Sequence, residues 1–117
     1  MTPEIEGLLP LTPASFHIVL VLADAPAHGY AIMQEVARLT GGATHLGPGT
    51  LDRTIQKLID DGVIESIGND ADERRVPYRL TRFGVAVARA EAARLARLVE
   101  VSRDRGLLTA RTRAQKV

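Results

Sequence analysis

No cysteine occurs among the 117 residues, which excludes a disulfide framework and thiolate chemistry. Tryptophan is absent too, and Phe16, Tyr30, Tyr78 and Phe83 are the only aromatics, a poor supply for an aromatic sandwich around a flat ligand. Long apolar runs are missing. The longest, Ile18 to Ala23, falls far short of the ~18 residues that a membrane span needs. Met1-Thr2-Pro3-Glu4 has neither the positive start nor the apolar stretch of a signal peptide, so a cytoplasmic protein with no membrane partner is expected. His17, His28 and His45 share no metal-ligand spacing, and neither a metal nor a cofactor is expected. Gly42-Ala43-Thr44-His45-Leu46-Gly47 has the glycine spacing of a phosphate-binding loop, but Pro48 stands where its lysine belongs and a helical pattern precedes it. With no nucleophile–base grouping either, the chain does not read as an enzyme.

What is present is a chain of 45% hydrophobic residues, enough for one compact domain, with a net charge of only +1. The charge is unevenly spread. Residues 1–73 carry Arg38, Arg53 and Lys57 against eleven carboxylates (3 − 11 = −8), and residues 74–117 carry twelve cations against Glu91, Glu100 and Asp104 (12 − 3 = +9). Such asymmetry suggests a nucleic-acid or acidic partner for the basic half, or one half of the fold or dimer complementing the other.

Thr12-Pro13 marks a first helix start, with threonine as cap and proline where a missing N–H costs nothing. Phe16 to Leu22 is apolar nearly all round, so burial on most sides is expected. A second helix begins near His28-Gly29-Tyr30, with Tyr30, Met33, Val36 and Ala37 at helical spacing, and stops at Gly41-Gly42. Gly47-Pro48-Gly49-Thr50 opens a third, whose Leu51, Ile55, Leu58 and Ile59 form one buried stripe, and Asp61-Gly62 closes it. Val63 to Ile67 and Val76 to Leu80 read as strands around a polar loop, with Pro77 expected on an edge where no ladder N–H is needed. Thr81 caps a long fourth helix running to about Arg105, in which Val85, Ala88, Ala92, Leu95 and Val99 fall at heptad spacing. The fold class expected is therefore mostly α with a small β-hairpin: a winged helix-turn-helix plus a long C-terminal dimerisation helix. The organisation expected is an N-terminal arm (1–11), the DNA-binding domain (12–81), and the dimerisation helix with its tail (82–117).

Turning the apolar stripe of the third helix inward leaves Thr50, Arg53, Thr54 and Lys57 outside. Arginine and lysine pair with guanine O6 and N7, and threonine bonds a phosphate or touches a thymine methyl. An ordinary solvated face is the competing reading, because Asp52, Gln56, Asp60 and Asp61 are exposed nearby. The hairpin places Arg74, Arg75 and Arg79 on its return arm, where arginine reaches phosphates or a minor groove. Asp70, Asp72 and Glu73 at the tip can instead pair with them locally. His28 is read as a helix cap, Tyr30 as partly packed in the core, and His17 as a satisfied core or interface histidine.

His28-Gly29-Tyr30-Ala31-Ile32, Gly47-Pro48-Gly49-Thr50-Leu51, Leu58-Ile59-Asp60-Asp61-Gly62-Val63-Ile64-Glu65, Arg74-Arg75 and Tyr78-Arg79-Leu80-Thr81 together resemble the PadR family of transcriptional regulators over about residues 11–85. The resemblance implies a dimeric winged-helix regulator, often a repressor, dimerised by its C-terminal helix. It also implies a tyrosine after Pro48-Gly49-Thr50-Leu51, where this chain has Asp52. The partners expected are a double-stranded DNA operator, a second copy of the chain, and an effector of unknown identity. Val85, Ala88, Ala92, Leu95 and Val99 form the dimer seam in this reading, with Arg89, Arg94 and Arg97 facing the partner's acidic first half at Glu4, Glu6 or Asp24. The rival is a winged-helix interaction adaptor that does not bind DNA.

Overall fold

The structure, a computed structural model, describes residues 2–68 and 76–109. Eight elements follow in order: α1 (Pro3–Glu6), α2 (Pro13–Asp24), β1 (Ala27–His28), α3 (Gly29–Leu39), α4 (Pro48–Asp60), β2 (Ile64–Ser66), β3 (Pro77–Leu80) and α5 (Arg82–Asp104). The expected helices and hairpin arms are all there. Two short elements are additional: α1, capped by Thr2, and β1, which is too brief to show any alternation.

Local chemistry sets the boundaries. The Thr12 hydroxyl accepts the Ser15 N–H at 3.1 Å, and Pro13 fills the first position of α2. Ile18, Val19, Val21 and Leu22 are buried, but Leu20 is 42% exposed, so α2 is less enclosed than its composition suggests. His28 Nδ1 accepts the Ala31 N–H at 3.3 Å and caps α3, as expected. In α3, Ile32 and Val36 enter the core. Tyr30 does not: it is 62% exposed, because at the helix start it projects past the core edge. Thr40 closes the connection to α4, its hydroxyl donating to the Val36 carbonyl and accepting the Thr44 N–H at 3.0 Å. Leu51, Ile55 and Leu58 of α4 are buried and Ile59 is half-buried, the stripe that the spacing gave. The helix ends where Gly62 takes φ +78° and its N–H bonds the Ile59 carbonyl, a left-handed turn that glycine makes without strain.

The sheet has three strands in the order β1-β3-β2, all neighbours antiparallel. This corrects the expectation for Pro77. Its strand is central, not an edge, because β1 pairs along its other side. Proline is tolerated since it is the first residue of β3. Ser66 pairs with Tyr78 on one face, and Glu65 with Arg79 on the other.

The start of α5 is fixed to the sheet by close backbone approach. The Thr81 hydroxyl donates to the Gly62 carbonyl at 2.6 Å and accepts the Gly84 N–H at 2.8 Å. A Cβ at Gly84 would lie 1.9 Å from the Val63 carbonyl oxygen, so no other residue fits there without displacing backbone. Further along, the Glu91 side chain is 1% exposed. Its carboxylate accepts the Leu11 N–H at 3.0 Å and two bonds from the Arg94 guanidinium at 2.6 and 3.0 Å. The Arg94 bond chiefly, with the Leu11 N–H adding to it, holds the Glu91 carboxyl below the ordinary carboxylate range against the upward push of burial.

Candidate nucleic-acid interface

The buried stripe of α4 fixes which side chains face out. Thr50, Arg53 and Lys57 are exposed and Thr54 is half-buried, all on one side of the helix; Asp52, Gln56 and Asp60 are exposed beside them, Asp52 bordering the sheet near Ser66 and Tyr78. The four candidate readers thus share one face, though not one state. The Thr54 hydroxyl folds back to donate to the Thr50 carbonyl at 2.7 Å. The Lys57 ammonium bonds the Asp61 carboxylate at 3.0 Å, while its side chain stays 67% exposed. Arg53 extends toward the helix start and donates to the Thr50 hydroxyl at 3.4 Å, a neutral partner. Among the described residues no carboxylate holds it. Its charge is therefore available to an incoming phosphate or base edge.

On the hairpin, Arg79 bonds Glu65 across the strands at 2.8 Å. Arg74 and Arg75, with Asp70, Asp72 and Glu73, lie outside the described residues.

The seam candidates of α5 line up along its outer side. Val85 is 37% and Val99 44% exposed, Ala92 is exposed, and Ala88 and Leu95 are half-buried. Leu98 and Val101 are exposed as well but, by helical spacing, project from other sides of α5 than this apolar surface. At the helix's N-terminal half it merges with a groove of about 560 Å³ whose wall includes Phe16, Leu20 and Leu80. Of the arginines expected to face a partner, Arg94 is already bound within its own chain by Glu91. Sequence reasoning missed that pair; the available signal was an acid three residues before an arginine on one helix face. His17 is half-buried, and its Nδ1 has no hydrogen-bond partner among the described residues, which corrects the reading of it as satisfied within the chain.

Comparison with known proteins fits this geometry. Residues 18–90, from inside α2 to inside α5, match the transcriptional regulator PadR-like family. The chain belongs to that family. A structure of a transcriptional regulator from Clostridium thermocellum superposes with a TM-score of 0.68 at 20% identity, covering 89% of this chain and 96% of that one. The PcaV transcriptional regulator from Streptomyces coelicolor, solved with its natural ligand, gives 0.67 at 22% identity over 87% of this chain and 66% of that one. At these identities the likeness is one of fold. An uncharacterized 37.1 kDa protein in transposon TN4556 of Streptomyces fradiae is 32% identical over 85 residues, 73% of this chain. This PadR-like chain matches about a quarter of that protein, 24% of its length. Family and fold are those of winged-helix, DNA-binding transcriptional regulators. Among the described residues no helix is long and apolar enough to cross a membrane, and no group of three or more His, Cys, Asp or Glu is placed to hold a metal ion.

Proposed function

We propose that the protein represses transcription as a homodimer that reads a two-half-site operator with α4. The observation that carries this reading is the outer face of α4, where Thr50, Arg53, Thr54 and Lys57 stand together and Arg53 is held by no acid among the described residues. A helix entering the major groove by its N-terminal half would bring Thr50 and Arg53 to base edges first, with Lys57 nearer the backbone. Arg74 and Arg75 of the wing would add sequence-independent phosphate contacts. The apolar outer side of α5, with Val85, Ala88, Ala92, Leu95 and Val99, supports dimerisation; its small residues permit close approach of a second helix. In this reading residues 1–11 are an arm, 12–81 the reading domain and 82–117 the dimer element, and a small-molecule effector or partner protein that alters the spacing of the two domains releases the operator.

A second reading, an adaptor that docks on protein and not on DNA, is favoured by the acidic flank of α4, Asp52 and Asp60, and by the engagement of Lys57 with Asp61. Selection from a pool of random duplexes separates the two. The regulator yields a recurrent two-fold symmetric sequence bound by a dimer, with affinity falling steeply as salt rises. An adaptor yields no enriched sequence.

A further inference from the structure

A second groove, of about 550 Å³, lies between the start of α3, the sheet-facing flank of α4 and the base of the hairpin. Its floor is aliphatic, with Met33, Leu51 and Ile55, and Tyr30 and Tyr78 stand at its walls. The volume falls in the range of about 300–1,000 Å³ typical of small-molecule sites. Among the described residues only one charged side chain lines it: Asp52. Arg53, next in sequence, turns away, its guanidinium within 3.4 Å of where a Gly49 Cβ would stand. Arg79 is removed as well, because it shares the opposite sheet face with Glu65, while Tyr78 and Ser66 face the groove. Among the described residues no cation neutralises the Asp52 carboxylate.

We infer that this groove binds a lipophilic monocation, an organic ammonium or phosphonium with an apolar body. Each part of the site has a matching part of the ligand. The aliphatic floor takes the apolar body, Tyr30 and Tyr78 supply aromatic rings to the lining, the partner type that attracts a positive centre, and Asp52 supplies the counter-charge. An anion of the same shape meets that carboxylate at the wall and is repelled. Neither operator reading nor dimerisation is needed for this site, which a single chain builds from its own residues.

Tetraphenylphosphonium and tetraphenylborate, near-identical in shape and opposite in charge, test the assignment by NMR titration of the full chain without DNA. The phosphonium should shift resonances of Tyr30, Met33, Asp52 and Tyr78, and the borate should bind there at least tenfold more weakly. Asp52→Asn, at an exposed position whose loss leaves the core intact, should weaken the phosphonium on the order of tenfold, and Tyr30→Ala should also weaken it. The inference is overturned if both ions perturb the groove alike, if Asp52→Asn binds the cation as wild type does, or if the cation's shifts fall on the α2–α5 groove instead. Because no DNA is present, failure of the operator reading leaves each of these outcomes unchanged.

Discussion

Helices α4 and α5 both turn one side inward and one side out, yet their outer sides differ in kind. On α4 the outer side carries threonines, Arg53 and Lys57; on α5 it carries Val85, Ala88, Ala92, Leu95 and Val99. A polar face with an unopposed guanidinium is at home in water and suits a charged partner, so nothing in its energetics calls for a protein to cover it. An apolar face on a 23-residue helix is different, since each buried valine or leucine there is worth about 1.5–3 kcal/mol to whatever covers it. The two helices thus divide the labour in the proposed function: α4 toward DNA, α5 toward a second chain.

Alpha-5 is itself divided, and the division can be broken at either end. Gly84→Ala attacks the buried beginning, where the new methyl meets the Val63 carbonyl; a loss of about 3 kcal/mol or more is expected, read as a collapsed urea midpoint or an insoluble chain. Glu91→Ala strands the Leu11 N–H and frees Arg94, and should cost about 1–3 kcal/mol. Acid provides a second handle on the same pair. The folded-state pKa of Glu91 lies below its unfolded value, so its contribution is full above the unfolded pKa and is lost as pH falls through the lowered folded one. Urea midpoints should therefore drop between neutral pH and about pH 3, and less steeply in Glu91→Gln than in wild type.

Changes on the outward side should leave the fold intact. Val99→Asp, at a position 44% exposed, should keep native helicity and an unchanged single-chain core but shift sedimentation from dimer to monomer at micromolar concentration. A dimer that survives would remove this part of α5 from the interface. The smallest expected effect is that of Lys57→Ala on duplex affinity. Its ammonium already bonds Asp61, so freeing it for phosphate offsets part of the gain, and a loss of only about 1 kcal/mol or less is expected together with a slightly flatter salt dependence.

Much of this architecture was legible in the residues because it rests on local chemistry. Thr12-Pro13, Gly47-Pro48 and Thr81 marked helix starts that the structure keeps, and the Leu51–Ile55–Leu58 spacing oriented α4 correctly. What escaped depends on contacts between distant parts of the chain. Nothing local to Glu91 marks it as buried; that comes from the fold, which brings the Leu11 N–H against it from 80 residues away in sequence. Pro77 reads as an edge residue until two residues of β1 pair beside it, and Tyr30 reads as partly packed in the core until the helix start leaves it exposed beside a groove. Residues 69–75, Arg74 and Arg75 among them, lie outside the described residues.

The central claim, that the outer face of α4 reads DNA, is tested most directly by Arg53→Ala. A duplex enriched from the random pool is titrated with wild type and variant by fluorescence anisotropy at several salt concentrations, with circular dichroism confirming equal helicity. The account predicts salt-sensitive binding by wild type and a loss of about 1–3 kcal/mol in the variant, with relaxed preference at one base pair of each half-site. Equal affinity for the two proteins at native helicity would contradict it.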